Sequence, residues 1–267
     1  MSVRHVLITG GSRGIGLAIA RLFAQNSYRC TLISRNEHAL KTAISTLPPL
    51  DPKHSSIPHK YIVGDVSDPA FWMHSVVGQK LILTSNTTET HAGHGLKERI
   101  DVLVNCAGVT ENKLFLRIGR DKLQGIVNTN LTGLMMGTQY LLRNGYIKSK
   151  KDDDENYSPV VINMTSLLAL QGGFGAVVYS ASKAGVLGFT RALAVELGRS
   201  GVRVNAIVPG YIETDMIADL DVPRLEKRIP LQRIGKPEEI ADAVLFLAKN
   251  QYAHNCVINI DGGLSAM

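Results

Sequence analysis

The stretch VLITGGSRGIG, residues 6–16, joins a short apolar run to a glycine-rich turn and the start of an amphipathic segment. The apolar run predicts a buried strand and the segment after the turn predicts a helix. Gly10 permits the sharp turn, Gly14 lets the backbone approach a pyrophosphate, and Gly16 lets the helix pack closely on the strand. The spacing G-x-x-x-G-x-G differs from the G-x-G-x-x-G dinucleotide pattern, so a glycine turn without a ligand is the alternative. The stretch favours a nucleotide-binding βα unit with a phosphate at the helix N-terminus.

A second motif, YSASK, places Tyr179 and Lys183 four residues apart, and Ser166 lies thirteen residues before that tyrosine. On a helix, positions i and i+4 share one face, so the lysine ammonium can stand near the phenol. A free tyrosine has a pKa of about 10, and a nearby cation favours the phenolate, so we expect Lys183 to lower the pKa of Tyr179. A hydroxyl from Ser166 can hold a carbonyl oxygen while the phenol protonates it. Alone, the tyrosine and lysine could be one turn of an amphipathic helix; beside the glycine loop, they predict a proton-donor site.

The two motifs together resemble the short-chain dehydrogenase/reductase family, most closely its 3-oxoacyl-[acyl-carrier-protein] reductases, including fungal mitochondrial members. The resemblance covers nearly the whole chain. Its further matching segments are Asp65-Val66, NCAG at 105–108, NTNL at 128–131, NMTS at 163–166, Pro209-Gly210 with Thr214, and the run from Pro230 through GKPEE at 235–239 to DGG at 261–263.

This resemblance implies a catalytic set of Asn130, Ser166, Tyr179 and Lys183. In the family, hydride passes from a nicotinamide to a carbonyl carbon, the tyrosine protonates the oxygen, and the serine hydrogen-bonds the substrate. The lysine also grips the nicotinamide ribose, and the asparagine holds a water that links the lysine to bulk proton supply. Asn128 is the competitor for the asparagine role, and a capping or core amide is the structural alternative for Asn130.

The end of the predicted second strand indicates the cofactor. NAD-preferring sites place an acidic residue there, whereas arginine suits a 2′-phosphate. The chain has Arg35 at this point, no carboxylate until Glu37, and a second guanidinium at Arg13. These residues favour NADPH.

The resemblance assigns the remaining cofactor contacts by position. Asp65 and Val66 would hold the adenine. The ribose side would be lined by Asn105, Ala107 and Gly108, and the nicotinamide end would be met by Pro209, Gly210, Ile212 and Thr214. The predicted cofactor-binding residues are Gly10, Ser12, Arg13, Gly14, Ile15, Gly16, Arg35, Asp65, Val66, Asn105, Ala107, Gly108, Tyr179, Lys183, Pro209, Gly210, Ile212 and Thr214.

Short apolar runs alternate with helical patterns along the chain, as expected for βαβ units and a parallel sheet. We therefore predict an α/β fold, a Rossmann-like doubly wound parallel seven-stranded sheet with helices on both faces, and a single domain spanning residues 1–267. The resemblance adds the strand order 3-2-1-4-5-6-7. The predicted strands are residues 3–8, 29–34, 60–64, 101–105, 159–164, 202–208 and 256–260. Polar, turn-forming stretches near residues 79–96 and 148–158 predict surface insertions.

A 3-oxoacyl thioester on acyl carrier protein is the substrate implied by the resemblance. Residues 211–230, the variable lid of the family, mix apolar and charged side chains in a way that suits an acyl chain. Arg117 and Arg191 could meet the acidic face of a carrier protein. Two alternatives remain: a broader carbonyl or quinone reductase with the same machinery, and a non-catalytic NADPH-binding subunit.

The composition excludes several other classes of function. The 267 residues carry a net charge of +6, with 45% apolar and 19% charged residues, and no apolar run reaches the roughly 18 residues of a membrane span. The net positive charge suits an acidic partner, but the charged run at 148–155 mixes both signs, so nucleic-acid binding is not predicted. Three cysteines lack metal-ligand spacing and His91 and His94 lack a third ligand, so no metal site is predicted.

The first predicted strand begins almost at Met1, leaving no room for a secretory leader, so we do not expect secretion. The resemblance implies the mitochondrial matrix, with the cytoplasm as the alternative; any import signal would be uncleaved or would overlap the first strand and helix. Residues 131–142 are apolar beyond the needs of one helix face, residues 176–197 carry small side chains, and strand 256–260 would leave an apolar edge. These features predict a homotetramer, or a heterotetramer with a related reductase subunit.

Overall fold

The computed structural model describes residues 3–50, 58–73, 81, 99–148 and 157–266. These residues form a seven-stranded parallel sheet in the order β3-β2-β1-β4-β5-β6-β7, which confirms the predicted fold and strand order. The strands are β1 (His5–Thr9), β2 (Arg29–Ser34), β3 (Lys60–Val63), β4 (Val102–Asn105), β5 (Val160–Met164), β6 (Arg203–Pro209) and β7 (Val257–Ile260). Every boundary lies within two residues of its prediction.

Helices connect the strands and cover both faces of the sheet. Those described are α1 (Gly14–Gln25), α2 (Glu37–Ser45), α3 (Pro69–Met73), α4 (Arg120–Val127), α5 (Gly133–Arg143), α6 (Leu168–Gln171), α7 (Val177–Leu197), α8 (Val222–Glu226) and α9 (Pro237–Lys249). A π-helical segment, Asn128–Thr132, joins α4 to α5. Within the described ranges, no helix is both long enough and apolar enough to cross a membrane.

Both faces of the sheet are buried, which explains why its strands are almost continuously apolar instead of alternating. On β1, Val6 and Ile8 belong to one core cluster and Leu7 belongs to another. Helices α1 and α9 pack together over the first cluster. Residues of α5 and α7, among them Leu141 and Ala194, belong to the second cluster on the opposite face.

The strand register brings the carboxyl ends of the central strands to one edge. Thr9 at the end of β1 pairs with Asn105 at the end of β4, and Asn105 pairs with Asn163 on β5. Ligands of open α/β sheets bind beyond this edge. The predicted insertions near 79–96 and 148–158 lie almost wholly outside the described residues, as do His91 and His94.

Candidate active site

The glycine-rich turn after β1 has the close packing that its sequence predicts. Gly10 has φ of +72°, and a Cβ there would lie 2.8 Å from the Cα of Ala107. A Cβ on Gly16 would collide with the carbonyl oxygen of Gly10, so the start of α1 approaches the turn as only glycine permits. The Thr9 hydroxyl accepts hydrogen bonds from the backbone N–H groups of Cys106 and Ala107, at 3.1 and 3.2 Å. The turn is therefore held against the end of β4.

A cavity of about 580 Å³ opens along this edge of the sheet. Its volume is in the range of small-molecule and cofactor sites. Of the predicted site residues, those that line it are Gly10, Ser12, Arg13, Gly14, Ile15, Gly16, Arg35, Asp65, Val66, Ala107, Gly108, Ser166, Tyr179, Lys183, Pro209, Gly210, Ile212 and Thr214. The structure thus brings together residues from seven separate stretches of sequence. A glycine turn at one end and titratable side chains in the same cavity fit a nucleotide cofactor with a reacting end.

Two arginines mark the glycine-loop end of the cavity. Arg13 Nη1 lies 2.8 Å from Asp215 Oδ2, and Arg35 Nη1 lies 3.8 Å from Asp65 Oδ2. Both guanidinium groups are largely exposed, at 75% and 66% of their side-chain area. Both arginine side chains are therefore accessible to an anionic ligand that enters the cavity. Glu37, the first carboxylate after β2, instead lies 3.0 Å from the Lys41 ammonium.

Tyr179, Lys183 and Ser166 meet in the same cavity. Tyr179 and Lys183 are one turn apart on α7, and both are buried. The Lys183 Nζ donates to the carbonyl oxygen of Met164 at 2.9 Å and lies 5.9 Å from the centre of the Tyr179 ring. The Ser166 hydroxyl accepts from the backbone N–H of Leu168 at 3.2 Å, and Ser166 lines the same cavity as Tyr179.

The ionisation of these groups differs from the sequence-based expectation. Burial raises the pKa of Tyr179, and the nearby Ser166 hydroxyl offsets only part of that rise. Burial also lowers the pKa of Lys183 to about 8. The expected lowering of the Tyr179 pKa is absent because desolvation of the buried phenol is the largest effect on that pKa. At neutral pH the phenol is therefore protonated and able to donate.

Two predicted residues, Asn130 and Asn105, do not line the cavity. Asn130 is fully buried in the π-helical segment, a type of irregularity frequent at functional sites. Its amide accepts from the Val109 N–H at 2.8 Å and donates to the Val109 carbonyl and the Ser182 hydroxyl at 2.9 and 3.0 Å. It thereby ties the loop after β4 to α7.

Asn105 also has its side chain directed into the core. Its amide donates to Thr138 and to Asn163, at 3.0 and 2.9 Å, and Asn163 donates onward to Thr190 at 2.9 Å. This buried chain joins β4 and β5 to α5 and α7 beneath the cavity. Asn105 therefore supports the loop that carries Ala107 and Gly108.

Several cavity residues were not predicted, among them Cys106, Thr165 and Asp215. Burial raises the pKa of the Cys106 thiol to about 11, so it is not a thiolate near neutral pH. Thr165 donates its hydroxyl proton to the backbone carbonyl of Lys183 at 2.9 Å. Asp215 meets Arg13 across 202 residues of sequence, a contact that no local pattern reveals. Within the described ranges, no three His, Cys, Asp or Glu side chains are grouped to bind a metal.

Comparison with known proteins gives consistent matches over most of the chain. Residues 4–224 match the family model described as short chain dehydrogenase. The 3-oxoacyl-[acyl-carrier-protein] reductase FabG of Chlamydia muridarum is 37% identical over 267 residues, covering 98% of this chain and 97% of the relative. The 3-oxoacyl-[acyl-carrier-protein] reductase of Homo sapiens is 35% identical, covering 96% of each chain. Carbonyl reductase family member 4 of Danio rerio is 35% identical, covering 99% of each chain.

Solved structures share the same architecture. A short chain dehydrogenase from Bacillus anthracis superposes with a TM-score of 0.78 at 28% identity, covering 98% of this chain and 96% of that one. A structure from Agrobacterium tumefaciens with NADP bound, assigned as a 2-deoxy-d-gluconate 3-dehydrogenase, gives a TM-score of 0.74 at 30% identity, covering 99% and 97%.

Proposed function

Because this chain belongs to the short-chain dehydrogenase family and is therefore an oxidoreductase with a nicotinamide cofactor, we propose that it reduces 3-oxoacyl-[acyl-carrier-protein] thioesters to 3-hydroxyacyl thioesters with NADPH. The observation that carries the proposal is the meeting of Ser166, Tyr179 and Lys183 in the cavity that the glycine turn also lines. Relatives named as reductases of this substrate, at 34–37% identity over nearly the whole chain, support the substrate class.

In this proposal each side chain has a separate task. A bound reduced nicotinamide supplies the hydride. Ser166 holds the ketone oxygen by a hydrogen bond, and Tyr179 donates its phenolic proton to that oxygen as negative charge develops there. The raised pKa of Tyr179 keeps the proton on the phenol until it is needed. Lys183, with a pKa of about 8, keeps its own proton at neutral pH and can replenish the phenol during the catalytic cycle.

The preference for NADPH is inferred from charge at the glycine-loop end. Arg13 and Arg35 both line the cavity, and both are exposed enough to bond a 2′-phosphate. The competing carboxylate, Glu37, accepts a hydrogen bond from the Tyr61 hydroxyl at 3.3 Å and pairs with Lys41. A carboxylate so engaged is a poor partner for a ribose 2′-hydroxyl, which disfavours NADH.

The acyl and carrier parts of the substrate are proposed from the surroundings of the cavity. Met216 and Ile217 line its wall and Met216 is 45% exposed, so a flexible apolar surface is available to an acyl chain. Arg117 and Arg191 are exposed, as contacts for an acidic carrier require. A broader carbonyl or quinone reductase is the second candidate, favoured by the relatives named carbonyl reductase family member 4. A non-catalytic NADPH-binding subunit is disfavoured because it would not need the Ser166–Tyr179 pair.

We also propose the tetramer and the mitochondrial matrix, with the cytoplasm as the alternative compartment. Val195 on α7 is 81% exposed and Val177 at its start is 47% exposed, so apolar surface is available for a helix interface. Tyr252, shortly before β7, is 97% exposed, so its ring is available for a second subunit contact near that edge strand. Either a homotetramer or a heterotetramer with a related subunit would bury these exposed side chains. The compartment rests on the resemblance, and microscopy of the tagged full-length chain would test it.

A substrate panel tests the proposed activity. Oxidation of NADPH is followed by absorbance with acetoacetyl-carrier protein, acetoacetyl-coenzyme A and simple quinones, and each is repeated with NADH. We expect the highest kcat/KM for the carrier-bound thioester and for NADPH. Quinone reduction that exceeds thioester reduction in kcat/KM would favour the second candidate. Cofactor binding with no reduction of any carbonyl would favour the non-catalytic subunit.

A further inference from the structure

Helix α7, which carries the proposed proton donor, begins without a side-chain cap of its own. Ala176 precedes its first residue and offers no side-chain hydrogen bond. The first backbone N–H groups of a helix have no partner inside it and must find an acceptor elsewhere. Tyr179 is the third residue of the helix, so its own N–H is one of these groups.

The missing acceptor comes from Glu111, in the loop after β4. Its Oε1 accepts from the Val178 N–H at 2.7 Å and from the Tyr179 N–H at 3.4 Å. The residue is 7% exposed, and a carboxylate at a helix N-terminus is favourably placed against the helix dipole. Two residues further on, the Lys113 N–H donates to the Gly175 carbonyl at 3.1 Å, just before α7.

The loop that carries Glu111 also forms a wall of the cavity, through Cys106 to Thr110. A shift of this carboxylate would therefore move the turn that carries Tyr179 relative to that wall. Lys183 has separate anchors: its ammonium bonds Met164, and its backbone carbonyl accepts from Thr165. The two site residues of α7 are thus held by different contacts.

We propose that Glu111 is a positioning residue that fixes the first turn of α7 and so sets where the Tyr179 phenol meets the substrate oxygen. This inference rests on the proposed role of Tyr179 as proton donor, but not on which carbonyl compound is the substrate. Misplacement of a reacting group by about 1 Å can cost roughly 100-fold in rate. Loss of the acceptor should therefore lower kcat more than it lowers the affinity for NADPH.

Two variants separate position from charge. Glu111→Leu removes the acceptor, and we expect kcat to fall by about 10- to 100-fold. Its dissociation constant for NADPH, measured by fluorescence titration, should stay within about threefold because Lys183 keeps its anchors. Glu111→Gln retains an acceptor oxygen and should keep kcat within about threefold to fivefold of wild type, even though it loses the charge. Thermal unfolding of both variants reports their folding stability.

Glu239→Leu is the matched control. Glu239 is also a carboxylate at a helix N-terminus, where its Oε2 accepts from the Lys236 N–H at 2.7 Å. It also pairs with Arg233 at 2.6 Å, so its loss should cost at least as much stability, but α9 carries none of the proposed site residues. This variant should lose folding stability without losing kcat. The assays use whichever carbonyl compound the wild-type protein reduces fastest, so failure on thioesters alone counts against the proposed substrate and not against this inference.

Three results would overturn the inference. In the first, Glu111→Leu keeps wild-type kcat. In the second, Glu111→Leu loses kcat and NADPH affinity in parallel, which would indicate general disruption of the cavity. In the third, Glu111→Gln loses kcat as severely as Glu111→Leu. A wild-type protein that binds NADPH and reduces no carbonyl compound would overturn both the inference and the proposed function.

Discussion

Removal of the Tyr179 hydroxyl by Tyr179→Phe gives the most direct test of the proposed chemistry. The ring is 7% exposed, so phenylalanine keeps nearly all of its packing. General acid catalysis contributes roughly 10²- to 10⁴-fold, and a barrier increase of about 2.7 to 5.5 kcal/mol is therefore expected. The NADPH dissociation constant should change little, because Lys183 and the glycine turn are untouched.

The folding cost of this substitution should be small. The substitution removes at most one hydrogen bond of the phenol, and the neighbouring Ser166 hydroxyl still accepts from the Leu168 N–H at 3.2 Å. A typical hydrogen bond contributes about 0.5–1.5 kcal/mol, and Tm should fall by only about 2–4 °C for each kcal/mol. The activity loss therefore cannot come from unfolding.

Tyr157→Phe is the matched control. Tyr157 is also buried, and its hydroxyl donates to the Asp101 carbonyl at 3.3 Å, near the amino end of β4 and away from the cavity. This variant should lose a similar amount of stability and keep wild-type kcat. Stopped-flow absorbance measures the first turnover and calorimetry measures Tm. A folded Tyr179→Phe protein that reduces its substrate at the wild-type rate would remove the assignment of the proton donor.

Three further predictions concern cofactor choice, acid stability and assembly. Arg35→Asp should weaken NADPH binding by about 10- to 100-fold, through loss of a charge-assisted hydrogen bond, and should favour NADH; retained NADPH preference in fluorescence titrations would contradict the assignment of Arg35. Burial, with Arg29 nearby, lowers the pKa of His5 from 6.5 to about 3, so the unfolded chain takes up a proton there that the folded protein resists. The stability contributed by neutral His5 is complete above pH 6.5 and should be lost as pH falls toward 3; urea unfolding curves that match at pH 7 and 4.5 would refute this. Light scattering should give four times the chain mass, and Val195→Glu should lower it; a fully active wild-type monomer would rule out the tetramer.

Local sequence patterns predicted much of the fold because its determinants are local. The apolar run of β1 and Gly10 specify a strand and a sharp turn within a few residues of each other. The spacing of Tyr179 and Lys183 likewise fixes their places on one helix. The strand order could be predicted because the motif order resembles that of a known family.

The parts of the site that could not be predicted depend on contacts between distant residues. Glu111 meets the N-terminus of α7 across 67 residues, and Asp215 meets Arg13 across 202. The Lys183 ammonium donates to the Met164 carbonyl, a contact that the spacing of YSASK does not reveal. The rise in the Tyr179 pKa depends on how deeply the phenol is buried, which is known only from the packing around it. The π-helical segment that contains Asn130 interrupts the α-helical hydrogen-bonding pattern locally. The spacing of apolar residues in the sequence does not reveal such an interruption.

The pairing of Arg13 with Asp215 and of Arg35 with Asp65 bears on how the protein responds to ionic strength. When a phosphate binds these arginines, each arginine exchanges a carboxylate partner for a phosphate oxygen. The phosphate therefore does not neutralise two unpaired cations. Dissolved salt screens the existing carboxylate contacts and the incoming phosphate contacts alike. The affinity difference between phosphorylated and unphosphorylated dinucleotides should therefore vary little between dilute buffer and physiological electrolyte. The preference for one dinucleotide over the other would then depend little on the salt concentration of the compartment in which the protein works.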